Sequence, residues 1–63
     1  MAIKKRPINY TFAKVGDPVH SKKVGSKEPF NGLIVEISAA RAIVRDGEGR
    51  RWVREWRELE AVQ

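Results

Sequence analysis

An all-β fold, a small five-stranded barrel with a short helical turn before its last strand, is predicted by three observations. Short β-branched runs recur along the chain, and clusters of Gly, Pro, Asn, Asp and Ser separate them. The single helix-like segment, residues 55–60, is shorter than the roughly 12–15 residues an isolated helix needs in water. Bending so short a set of strands into a barrel limits the open edges that a flat sheet would present.

The elements follow in order. Residues 1–12 read as a basic N-terminal arm broken at Pro7, and residues 13–63 as the barrel. Val15-Gly16-Asp17-Pro18-Val19 sets a turn before a short extended run, which Pro18 confines to a sheet edge or a strand start. Ser21 to Gly32 is polar and punctuated by Gly25, Ser26, Pro29 and Asn31, the composition of a long surface loop. Leu33 to Ile37 is strongly apolar and is expected to be the most buried strand. Arg41 to Arg45 is the next strand, with Arg41, Ile43 and Arg45 on one face and Ala42 and Val44 on the other. Asp46-Gly47-Glu48-Gly49 signals a hairpin, because Asp-Gly tolerates the positive backbone angles of tight turns. Arg50 to Arg54 returns antiparallel, one helical turn follows, and Leu59 to Val62 closes the sheet.

Size and charge bound the function. A chain of 63 residues holds one small domain and leaves little room for an elaborate active site. There is no cysteine, so disulfides, thiolate metal sites and a cysteine nucleophile are absent. The longest uninterrupted apolar stretches, such as Leu33 to Val35, are far short of a membrane span, and no segment resembles a signal peptide, so a cytoplasmic protein without membrane insertion is expected. The net charge of +5 is unevenly placed. Residues 1–27 carry seven Lys and Arg against Asp17 alone, a net +6, while residues 28–63 carry six Arg against seven acids, a net −1. Such a chain attracts polyanions or acidic proteins.

Gly16-Asp17-Pro18-Val19, Phe30-Asn31-Gly32-Leu33-Ile34-Val35-Glu36-Ile37 and Ala42-Ile43-Val44 together resemble KOW-type and other SH3-like barrels. In that pattern Gly-Asp-x-Val opens the first strand and a glycine starts the second. The ending, Arg51-Trp52-Val53 through Glu58-Leu59-Glu60-Ala61-Val62, looks like the close of small cyanobacterial and plastid SH3-like proteins. Those include the ferredoxin-thioredoxin reductase variable chain and the ferredoxin-docking subunit of the photosynthetic NADH-dehydrogenase-like complex. The resemblance covers about residues 15–62 and implies an SH3-like barrel serving as a binding or docking module.

Candidate binding residues fall into two sets. In the segment from Arg50 to Arg57, alternation places Arg50, Trp52 and Arg54 on one strand face and Arg51 and Val53 on the other. An indole flanked by guanidinium groups stacks a base while the cations hold phosphates; the plainer role is that Trp52 covers a sheet face and Trp56 plugs the barrel. Arg41 and Arg45 flank Ile43 on the neighbouring strand; pairing of Arg45 with the Arg50 region enlarges one basic face, unless Glu48 or Glu36 neutralises it. The second set, Lys4, Lys5, Arg6, Lys22, Lys23 and Lys27, supplies mobile point charges for phosphates, or merely solubility. Asp17 reads as a turn former. His20 is the only histidine and has no Cys, Asp or Glu cluster beside it, so it reads as a surface residue and neither a metal site nor a catalytic base is expected. Gly47-Glu48-Gly49 is no phosphate loop, lacking the third glycine and the helix that follows one.

The expectation is therefore a non-catalytic module without cofactor or small-molecule substrate. It binds nucleic acid, DNA or RNA, with low sequence specificity. The alternative is a docking subunit for an acidic protein such as ferredoxin.

Overall fold

The computed structural model describes residues 5–62 and shows an all-β protein. The strands are β1 (Lys5–Pro7), β2 (Pro18–Ser21), β3 (Phe30–Ile37), β4 (Arg41–Arg45), β5 (Arg51–Glu55) and β6 (Leu59–Val62). They form one antiparallel sheet in the order β1-β6-β2-β3-β4-β5. The all-β class and the single 3-10 turn before the last strand, Trp56–Glu58, are as expected. Two details differ. Among the described residues there are six strands, because part of the basic segment joins the sheet, with Lys5 opposite Val62 and Pro7 opposite Glu60. The hydrogen-bonded ladder is also open, since β1 and β5 stand at its two ends.

Pro18 is the first residue of β2, yet β2 lies inside the sheet rather than at its edge. Proline is tolerated there because the pairing with β6 begins only at Val19, opposite Ala61. The core is small: Val19, Ile34, Ala42, Val44 and Leu59 are buried, and Ile8, Ala13, Phe30, Ile37 and Trp56 pack against it. β4 alternates as read from the sequence, with Ala42 and Val44 inward and both arginines exposed.

β3 departs from the expectation of a wholly buried strand. Ile34 alone is fully buried, and Leu33 is 42% exposed. The register shifts between Ile34 and Glu36, so Ile34 faces Val44 and Ile37 faces Ala42, three residues apart where strict alternation would allow two. The extra residue marks a bulge, which bends the strand and lets both isoleucines meet the core. Just before it, Gly32 lies against β4. A Cβ there would sit 2.7 Å from Val44 Cγ1 and closer still to the Arg45 carbonyl oxygen.

The β4–β5 hairpin is held by Asp46, but not through a tight Asp-Gly turn. Its positive φ is at Gly49, +86°, rather than at Gly47. The loop is longer than Asp-Gly alone suggests, and the Asp46 carboxylate spans it by accepting the Glu48 and Arg50 amides at 2.9 Å each. In the 3-10 turn, the Glu55 amide donates to the Glu58 carboxylate at 2.8 Å. The Trp56 indole donates to the Ser38 carbonyl at 2.9 Å, and its half-buried ring packs against the core. No helix among the described residues is long and apolar enough to cross a membrane.

Candidate functional site

The β4–β5 pairing places Arg41 opposite Glu55, Ile43 opposite Val53 and Arg45 opposite Arg51. Because Ala42 and Val44 point into the core, these three pairs share the outer face of the sheet. Arg45 and Arg51 are both exposed, and neither has an ion pair among the described residues. Like charges directly opposite on one face destabilise a strand pair. Between and beside them Leu33 (42% exposed) and Val53 (53% exposed) leave apolar surface open. A groove of about 530 Å³ runs from this face to the hairpin, lined by Pro18, Leu33, Arg45, Asp46, Gly47 and Gly49.

Trp52 and Arg54 share a face, as alternation requires, but it is the inner one. Arg54 is 6% exposed, and its Nε donates to the Ser21 hydroxyl at 2.9 Å while Nη1 donates to the Val53 carbonyl at 2.8 Å. A buried guanidinium needs such partners to offset its lost hydration. It also lies 5.7 Å from the Phe30 ring centroid and 5.5 Å from that of Trp52. Arg54 is therefore an internal brace rather than a surface contact, a correction to the sequence reading. The cause is that its strand face turns toward Ser21 across the sheet.

Phe30 and Trp52 form a tilted aromatic pair, 6.1 Å between centroids and 51° between planes. The Lys27 ammonium lies over both, 4.5 Å from the Trp52 centroid and 5.1 Å from that of Phe30. Both rings are half-buried; an ammonium over a ring contributes about 0.5–1 kcal/mol at an exposed site and about 2 where desolvated, and a nucleobase stacked on an aromatic side chain about 1–3 kcal/mol. The Trp52 indole N–H donates to the Asp46 carboxylate at 2.9 Å. That bond, foremost, holds the Asp46 carboxyl below the usual aspartate range; partial desolvation opposes it, and the Arg50 and Glu48 amides and nearby Lys27 reinforce it.

The other candidates are scattered. Lys22 Nζ donates to the Arg57 carbonyl at 3.1 Å, and Lys23 pairs loosely with Glu28 at 3.9 Å. Arg6 is exposed on β1 at the far end of the ladder from β5, and Arg50 is exposed in the hairpin loop. Lys4 and the side chain of Lys5 lie outside the described residues. Asp17 closes a turn by accepting the Lys14 amide at 2.9 Å, as read from the sequence. His20, half-buried, lies with Nδ1 2.8 Å from Asn31 Oδ1. Among the described residues no three or more His, Cys, Asp or Glu cluster as metal ligands would.

Sequence reasoning missed Arg51, Phe30 and Asp46 as members of these arrangements. Alternation did place Arg51 with Val53 on the face away from Trp52; its partner Arg45 depended on the hairpin register, which the loop length sets. Comparison with family models, curated proteins and solved structures finds no match to this chain.

Proposed function

We propose that this chain is a non-catalytic binding module for nucleic acid, holding backbone phosphates on the outer face of β4 and β5 with low sequence specificity. The supporting observation is the Arg45–Arg51 pair, two exposed like charges set opposite each other with no acid between them. A phosphate bridging the two guanidinium groups turns their repulsion into attraction, and guanidinium suits phosphate geometry. Arg41 lies at the other end of the same face, opposite Glu55, and Arg50 is exposed in the hairpin loop next to Arg51. The order β6-β2-β3-β4-β5, with a 3-10 turn before β6, supports the SH3-like resemblance.

A titration of DNA and RNA binding against salt tests this reading. The expected log-log slope corresponds to several released counterions, and replacing Arg45 and Arg51 together by Gln lowers it by about 1.4–1.8 units. No binding at low salt, about 50 mM, overturns the proposal.

A second reading, docking of an acidic protein such as ferredoxin, is favoured by the exposed Leu33 and Val53 beside the arginines. Aliphatic contact with Arg at its margin suits a protein interface better than a phosphate chain. Saturable chemical-shift changes on outer-face residues with ferredoxin, abolished by Arg45→Glu, are its expected signature.

A further inference from the structure

Lys27 occupies a place that its chemistry does not require it to keep. Its backbone is fixed in a small turn, donating to the Val24 carbonyl at 2.9 Å and accepting the Val24 amide at 3.1 Å. Its ammonium has no hydrogen bond or ion pair among the described residues; it rests on the faces of Phe30 and Trp52, with the Asp46 carboxylate near enough to attract it. Lifting it needs rotation of the side chain alone, with the turn intact. The rings beneath stay in place, because Trp52 is tied to Asp46 through its indole N–H and Phe30 packs on the core.

We infer that the Trp52 ring, bordered by the tilted Phe30 ring, is a base-stacking platform capped by the chain's own Lys27, so that the nucleic acid bound is single-stranded and a base enters by displacing the lysine. The inference rests on the nucleic-acid reading above and specifies its substrate class. Stacking a base on the ring replaces the ammonium contact with one of equal or larger size. The displaced ammonium remains tethered beside the base, placed to meet a neighbouring phosphate. A duplex keeps its bases stacked on one another and offers none to the platform, so it is held by charge only.

The test compares an oligothymidylate of about 12 nucleotides with a 12-base-pair duplex, at equal salt, following the indole N–H resonances of Trp52 and Trp56 by NMR. The expected result is about tenfold or tighter binding of the single strand, with a shift of the Trp52 resonance that the duplex does not produce. In Lys27→Gln the single-strand preference persists and the salt slope falls by about 0.7. Equal affinity for both with a silent Trp52 overturns the platform while leaving phosphate binding intact. Failure to bind either one overturns both readings.

Discussion

At Gly32 the side chain is excluded by the approach of β4, with Val44 Cγ1 and the Arg45 carbonyl occupying the space a Cβ would need. One obstacle is backbone, so relief requires moving a strand. Gly32→Ala is expected to destabilise the fold by about 1–3 kcal/mol, measured by denaturant unfolding, whereas Gly47→Ala, with open space around its Cβ position, has little effect. Asp46 carries a different kind of constraint. Its carboxyl is held below the usual aspartate range, so it contributes stability that is fully present above the unfolded-state value and lost as pH falls through the lower folded value. The Trp52 indole resonance is expected to stay fixed as pH drops through the ordinary aspartate range and to move only below it. In Asp46→Asn that acidic transition disappears. Arg54 shows what single-residue reading cannot supply: alternation gives its face correctly, but only the bend of the sheet decides that this face meets Ser21.

Among the elements, β4 is fully legible because the arginines at its two ends set the outer face, which leaves Ala42 and Val44 on the inner one and Ile43 between the arginines. β3 was legible as a strand but not in its burial. A run of apolar residues is compatible with either face, and the bulge after Ile34 that sorts Ile34 and Ile37 inward and Leu33 outward has no signature in the residues themselves. The hairpin's existence could be read from Asp46 and its glycines, whereas the Arg45–Arg51 register could not. The cap on Trp52 depends on a turn inside the loop between β2 and β3, where Gly25 takes a φ of +56° and brings Lys27 back over the rings. That contact joins residues 25 positions apart along the chain. It is invisible to any local pattern, although the sequence did mark both Lys27 and Trp52 as candidates.

For the molecule as a whole, the sequence separates a lysine-rich first part from an arginine-bearing second part. The fold mixes them: Lys22 reaches the 3-10 turn, Lys27 reaches β5, and the first strand pairs with the last. This last pairing also bears on the order in which the chain assembles. β3, β4 and β5 meet through short connections, so their contacts close little chain and form early. The β1–β6 pairing joins Lys5 to Val62 across nearly the whole described length, and β1 adds only three residues at the end of the ladder. It is expected to dock last and detach first. In native-state hydrogen exchange, the β1–β6 amides are expected to exchange through a local opening of low free energy, while those of β3 and β4 wait for global unfolding. Protection of both sets to the same degree would show instead that the six strands rise and fall as one cooperative unit.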